Sequence, residues 1–517
     1  MAAIITDQIR ILNAKNFVAG IQSASSSYYS FVGLTNPTDY QSDWDSSPPS
    51  PKDSFNDENE YWDTMIALKK INSSDVRQVI NKRSWASGTT YDYYRSDYTV
   101  SNAAKISGAT NLYNASYYVL NSDYRVYECL QNGTDPDNPN GRPSLDEPTF
   151  TDLEPRSAGS SGDGYIWKYL YTIKPSDITK FESTDFIPVP QDWATNTDNA
   201  AVRGNAIDGS IKIATITNRG VGLGTANRSY AAVPIQGDGS GATATIIINN
   251  DSQVGSITIS NEGSGYTYAS VDLAAGGVPT GTTRPVFNVI ISPEGGHGSD
   301  IYRELGAYNV LLYSRIENDN ENPDFITGNK IARVGIVQSP QQYNSTAILN
   351  ADKASALGAL RLAGTGYSTA TFTSNAYFTQ TVATGSTAVG RVVNYDQNTG
   401  VLKYWQDRSM AGFNTVGTAV TDPTYGFELK EFTSFPTGDG SVTIVPSSGS
   451  NLEIDTSFTG LSTVINNRTY YLGQSFTSGI ANPEVKKHSG NIIYVDNRPS
   501  ITRSSNQKED IKVILQF

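Results

Sequence analysis

Cysteine is almost missing from this chain. Among 517 residues Cys129 is the only one, so no intrachain disulfide can form, and folding in a reducing cytosol is the expectation. Histidine is nearly as scarce, with His297 and His488 alone. One histidine would suffice for a Ser-His-Asp triad, but no Gly-x-Ser-x-Gly elbow presents a nucleophile. Charged side chains make up only 17% of the chain, which argues against a surface dressed mainly with salt bridges. No basic stripe is present, and the formal net charge is −13 with a pI of about 4.8. That balance excludes a DNA-binding face and an anionic membrane surface as partners, and a negative field keeps an unassembled subunit soluble. Long apolar runs are missing as well. Ile4, Ile5, Ile9 and Leu12 are interrupted by Asp7, Arg10 and Lys15, so neither a signal peptide nor a membrane span is expected. The Gly-rich runs never end in Gly-Lys-Ser/Thr, which excludes a phosphate-binding loop of that type.

What the chain has in quantity is glycine, 45 residues, and tyrosine, 31. Together they point to a turn-rich β protein dressed with Ser, Thr, Asn and Tyr. The length implies three or four domains. Ile5, Ile9, Leu12 and Ala19 lie on one face of a helix over 6–20. Tyr28–Gly33 reads as a strand, and the loop after it holds Asn36-Pro37, Trp44 and Pro48-Pro49-Ser50-Pro51. Asn56 or Asp57 caps a helix predicted to run through Lys70, with Trp62, Met65, Ile66 and Lys69 on one stripe. Tyr117–Leu120 and Arg125–Leu130 read as a hairpin around Asn121-Ser122-Asp123. Ser161-Gly162-Asp163-Gly164 opens onto an aromatic strand, Tyr165–Ile173.

Around Ala200 aromatics thin out. Ile216-Thr217-Asn218-Arg219-Gly220-Val221-Gly222 is echoed by Ile259-Ser260-Asn261-Glu262-Gly263-Ser264-Gly265. Two copies are too few for a solenoid, so a small module of paired hairpins is expected. Gly364-Thr365-Gly366-Tyr367 opens a second such stretch, with a hairpin turn at Asp396-Gln397-Asn398-Thr399-Gly400. The expected organisation is a core of 1–200, 296–344 and 481–517, carrying inserted modules at 201–295 and 345–480 that decorate its periphery.

Candidate chemistry is sparse. His297, in Gly295-Gly296-His297-Gly298 near Asp300, could be a ligand or base, but with no second histidine close by it is read as a turn residue. Asp135–Gly141 hints at a calcium loop, yet Pro139 takes a ligand position and the closing residue is Asp146, so a solvated turn is preferred. Glu317–Asp324 is read as a charged loop. No catalytic residue, cofactor ligand or metal ligand is assigned. The tyrosines 91, 93, 94, 98, 113, 117 and 118 are the candidate interface, because Tyr buries a rigid ring while its hydroxyl keeps a hydrogen bond. The competing reading makes them ordinary sheet-face residues.

The C-terminal text is the most specific. Lys487-His488-Ser489-Gly490-Asn491-Ile492-Ile493-Tyr494-Val495-Asp496-Asn497-Arg498-Pro499 and Ile511–Phe517 read as two strands, the first punctuated at Asn497-Arg498-Pro499; the final strand is expected to be tied into a sheet. In chain order, Trp62 and Met65 with Val79–Trp85, Gly162–Leu170, Gly328–Arg333 and this C-terminal text resemble the baseplate wedge subunits of T-even-like contractile-tailed phages, gene 8 product type. The two Gly/Thr-rich stretches depart from that pattern. The resemblance implies a mainly β, multi-domain structural virion protein with a few short helices, not an enzyme. It implies a subunit that pairs with a second copy of itself, contacts other wedge proteins and resides in the tail baseplate after assembly in the host cytoplasm. The alternative is a peripheral tail protein that binds or cleaves host polysaccharide, with Trp405 and module tyrosines stacking on sugar rings.

Overall fold

The computed structural model describes residues 5–23, 26–34, 44–317, 325–328, 330–406, 413–415, 418–419, 430–504 and 507–517. Asn36-Pro37, Asn329 and most of the acidic run, 318–324, lie outside the described residues. Strands account for 41% of the chain and helices for 10%, the mainly β class expected from composition. Two compact units divide it, one of Met1–Val18, Arg77–Leu312 and Val513–Phe517, the other of Ala19–Val76 and Tyr313–Lys512.

The first unit is built on a three-stranded antiparallel sheet, Tyr118–Leu120, Arg125–Asn132 and Tyr165–Thr172. Asn121 closes the first hairpin, its side-chain oxygen accepting from the backbone N–H groups of Asp123 and Arg125. Both sheet faces are covered. Val126, Leu130 and Leu170 pack with Tyr94, Tyr117, Ile213 and Ile290, while Tyr127, Cys129 and Trp167 pack with Val119 and Tyr165. The tyrosine run is therefore core, correcting the interface reading. Tyr91, Tyr94, Tyr117 and Tyr118 are buried and Tyr93, Tyr98 and Tyr113 half-buried. Most of their hydroxyls find partners within the unit: Tyr117 donates to the Glu304 carbonyl at 2.6 Å and Tyr113 to that of Arg303 at 2.7 Å. A ring whose hydroxyl is satisfied inside can be buried whole.

Residues 229–271 supply a four-stranded sheet with clusters of its own around Val233, Ile246 and Tyr266. The echoed sequence is an echoed structure. Each copy ends a strand, Ile211–Asn218 or Val254–Asn261, and its asparagine then accepts from the N–H two residues on, Gly220 at 2.8 Å and Gly263 at 3.1 Å. Both glycines sit at positive φ, 71° and 62°, where other residues are strained.

The N-terminal helix, Asp7–Gln22, shows the opposite face from the one expected. Ile5, Ile9 and Leu12 are 70%, 48% and 54% exposed, while Ile11 and Ala14 are buried. Apolar residues lie on both sides of this helix, and its cations decide between them. Arg10 stacks 3.7 Å from the Tyr308 ring and Lys15 pairs with Asp300 at 3.0 Å, which turns Ile9 and Leu12 to solvent.

The second unit holds a five-stranded antiparallel sheet in the order Lys353–Ser355, Met65–Lys70, Tyr28–Gly33, Lys330–Gln338, Asn491–Thr502. The helix predicted through Lys70 stops at Asp63. Ser54 caps its start and the Thr64 hydroxyl bonds back to the Glu60 carbonyl at 2.9 Å. Met65-Ile66-Ala67-Leu68 then runs as a strand buried at every position. Such a continuous apolar run suits a two-sided interior strand as well as a helix, and sheet pairing wins. Pro499 does not end its strand either. It lies on the outer strand, in the interval where Asn497 pairs with Arg333 and Ile501 with Ile331, so a bulge absorbs the missing N–H.

Arg333 is the polar hub of this unit. Its guanidinium donates to Asn497 Oδ1 (2.8 Å), Thr64 Oγ1 (2.7 Å) and Glu60 Oε1 (3.0 Å), and lies 4.7 Å from the Tyr61 ring centroid. Two segments that carry the resemblance, Gly328–Arg333 and the C-terminal text, meet at that contact. Residues 345–480 add a second sheet running from Tyr377–Ala383 to Thr443–Ile444. Leu357, Val393 and Trp405 from this stretch share a cluster with Val32, Ile66 and Phe325.

Gly335 faces Phe31 in the central sheet, and a Cβ there would collide with the Phe31 ring and stand 2.6 Å from the Tyr494 carbonyl oxygen. Gly335→Ala is expected to destabilise this unit by about 2 kcal/mol, read as a lowered thermal unfolding midpoint. An unchanged midpoint would show that Phe31 is free to yield.

Candidate functional site: a buried His-Glu-Glu cluster

In the first unit three ionisable side chains meet out of water. Glu128 occupies the middle strand of the three-stranded sheet, opposite Tyr118 on one side and Lys168 on the other. Strand alternation sends it toward the face of Val126 and Leu130, and sends its neighbour Cys129 to the other face. Glu304 comes from the short helix Ile301–Leu305, which Asp300 caps by accepting from the N–H groups of Tyr302 and Arg303. The helix closes at Gly306, in the left-handed conformation at φ 69°. His297 is held by a tight loop. Gly296 and Gly298 flank it at positive φ, and a Cβ on Gly298 would stand 2.8 Å from Val202 Cγ1.

His297 Nδ1 lies 2.8 Å from Glu128 Oε2 and 2.8 Å from Glu304 Oε1. The three residues are 4%, 0% and 2% exposed. One ring N–H forms one well-aligned bond, and it serves Glu304. Glu304 also accepts the Gly298 N–H at 2.7 Å. Among the described residues, neither oxygen of Glu128 has a hydrogen-bond partner. Tyr94 sets its ring edge-on to the imidazole, with centroids 4.8 Å apart.

The electrostatics follow from this crowding. Burial, with the neighbouring Glu304 charge, pushes the Glu128 carboxyl up to about 8. Burial alone would strip the proton from His297, but the adjacent Glu128 charge and the close contacts with both glutamates lift it to about 9. Burial also opposes charge on Glu304, yet the His297 contact and the Gly298 N–H hold it below the usual carboxylate range. Lys168 is lowered by its own burial, and its ammonium donates to the Leu153 carbonyl at 2.9 Å.

His297 does lie in a turn, as read from the sequence, but that reading did not find its partners. Asp300 caps the helix and pairs with Lys15, while the partners of His297 are two glutamates. One signal was present in the sequence: Glu128 is a lone acid inside the apolar strand Val126-Tyr127-Glu128-Cys129-Leu130, where an unpaired charge is untenable. The other sequence candidates do not join the cluster. Asp135 accepts from Asn138 and pairs with Arg142 at 2.8 Å, Asp137 pairs with Arg219 at 2.9 Å, and Asp146 caps the Ser161 N–H. Glu317 pairs with Lys508 at 3.1 Å. Trp405 is 1% exposed and cannot stack on a sugar.

Removing the imidazole leaves two acids face to face in the dry interior. His297→Ala is expected to cost about 3–5 kcal/mol of stability in denaturant unfolding. His488, partly exposed and 3.1 Å from Asp63, is the contrast: His488→Ala should cost about 1 kcal/mol or less. Equal losses at the two histidines would contradict the special status of the cluster.

Comparison with known proteins bears on the N-terminal part of the chain. Residues 3–156 match the family described as Bacteriophage T4, Gp8. Among curated proteins, the baseplate wedge protein gp8 of Enterobacteria phage T4 is 26% identical over 211 residues. That match takes in 36% of this chain and 60% of the length of the relative. The matched family region includes the N-terminal helix, the tyrosine-rich core and Glu128, whereas His297 and Glu304 lie beyond it. Through its N-terminal region, and over less than two thirds of the relative's length, this chain is similar to the Bacteriophage T4 Gp8 family.

Proposed function

We propose that this protein is a structural subunit of a contractile-tail baseplate, a wedge protein that works by assembly and not by turnover. The match of residues 3–156 to the Gp8 family carries this reading, and the likeness to a protein named as a baseplate wedge component supports it. Its place is the tail baseplate of the virion, reached by assembly in the host cytoplasm. Its partners are other baseplate wedge proteins and a second copy of itself. Such a part must hold its neighbours in fixed geometry and still let the plate rearrange, which suits rigid subunits moving against one another.

Residues 201–295 and 345–480 are proposed as additions to a core of 1–200, 296–344 and 481–517. In support, each brings a sheet and apolar clusters of its own. Each is also rooted, through Ile213 and Ile290 in one case and Val393 and Trp405 in the other, in clusters shared with residues outside it. The polysaccharide-binding alternative loses its main support with the burial of Trp405.

Ile5, Ile9 and Leu12 form an exposed apolar stripe within the family-matched region. Its proposed occupant is a neighbouring wedge protein. Ile9→Asp combined with Leu12→Asp is expected to leave the fold intact, with a stability change within about 0.5 kcal/mol, while incorporation into tails falls. Incorporation at the wild-type level would remove the stripe from the wedge contacts. The function itself is tested by cryo-electron microscopy of purified tails: density for two copies in each baseplate wedge is expected, and density confined to fibres or spikes would overturn the assignment.

A further inference from the structure

Hydrogen bonding accounts for only part of the cluster of Glu128, His297 and Glu304. Their ligand atoms all lie within 4.8 Å of one another, and all three residues are buried. The single Nδ1–H serves Glu304, and among the described residues both oxygens of Glu128 are left without a donor in a fully buried place. A buried carboxyl group whose oxygens find no hydrogen-bond partner, held against a second acid, is a costly arrangement for a fold to keep. Something that contacts all three side chains at once would remove that cost.

We propose that the first unit binds a first-row divalent cation of the zinc or manganese class, through His297 Nδ1, one oxygen of Glu304 and one or both oxygens of Glu128, the protons on Nδ1 and Glu128 being released to solvent as the ion enters. The donor set selects the class. An imidazole nitrogen disfavours calcium and magnesium, which take oxygen ligands, and two carboxylates balance a double positive charge. Both oxygens of Glu128 are available, so its bidentate binding would complete four donors without solvent. Ligand atoms about 2.0–2.2 Å from such a metal stand roughly 3.3 Å apart. The 2.8 Å contacts at Nδ1 therefore need to open by only about half an ångström.

The surroundings already orient these donors. The Gly298 N–H holds Glu304 Oε2 at 2.7 Å and leaves Oε1 toward His297, while the edge-on Tyr94 ring fixes the imidazole. Cys129, though adjacent in sequence to Glu128, packs on the opposite sheet face and is not a ligand. An ion here would tie the Arg125–Asn132 strand, the 295–298 loop and the Ile301–Leu305 helix together, and would stabilise the folded chain by mass action. The site is closed on all sides and structural. This inference goes beyond the wedge reading and does not depend on it.

The test uses the full-length chain, stripped with a chelator and titrated separately with zinc chloride and manganese chloride, by calorimetry and by thermal unfolding. One equivalent is expected to bind and to raise the melting temperature. Glu128→Gln, which keeps shape and removes charge, should weaken that binding by at least about tenfold. Failure of both ions to bind or to shift melting overturns the proposal, as does wild-type affinity in Glu128→Gln. If that variant fails to fold, X-ray absorption of the zinc-loaded wild type decides. A shell of one imidazole with oxygen ligands supports the site, and a shell containing sulfur or lacking imidazole overturns it.

Discussion

Burying Glu128 beside Glu304 puts two acids where water cannot screen them, and the first unit is arranged around supplying positive charge to that point. The pieces arrive from separate parts of the chain: a central strand, a glycine-rich loop and a helix of five residues. None of these could hold the arrangement alone. The strand needs both neighbours to bury Glu128, the loop needs glycine at Gly296 and Gly298 to pass the backbone of Ile207 and the side chain of Val202, and the helix needs Asp300 to start it. In a chain with only 17% charged residues, the few ionisable groups sent inside carry an outsized share of the specificity, since any misplacement leaves a charge without a partner.

The second unit solves the converse problem with Arg333, a buried cation satisfied by an amide from the outer strand and by a hydroxyl and a carboxylate from one helix and its C-cap. Its planar fork fixes the direction of each partner, which a lysine could not do. The contact with Asn497 explains how a bulge at Arg498-Pro499 is tolerated on the outer strand: the residue just before it is anchored. Arg503, equally buried, is a further such point in that unit, bonded to the Phe325 carbonyl and to Glu509.

Much of the fold was legible in the sequence because aromatic and β-branched residues cluster where strands form. Tyr28–Gly33, Arg125–Asn132 and Tyr165–Thr172 emerge close to where they were expected. The errors have local physical causes. Met65-Ile66-Ala67-Leu68 carries no periodicity that separates helix from strand, and only pairing with Tyr28–Gly33 decides it. The N-terminal helix has apolar side chains on both sides, so its orientation rests on Tyr308 and Asp300, which lie some three hundred residues away. The cluster was the least legible part. His297 and Glu304 share one stretch of sequence, but Glu128 reaches them only through sheet packing. A tyrosine run reads the same whether it faces a partner or a core, and only the location of hydroxyl partners separates the two.

The same strand that delivers Glu128 to one face delivers Cys129 to the other, where the thiol is wholly buried and burial holds its proton firmly. A thiol in that state is a poor nucleophile toward oxidants and alkylating reagents. As the only sulfhydryl in the chain, it cannot cross-link to another cysteine of its own molecule, and between molecules it is shielded for as long as the sheet stays closed. Thiol chemistry on this protein is therefore a direct gauge of sheet opening: any label that appears on Cys129 records a molecule in which the Tyr127–Trp167 face has come apart.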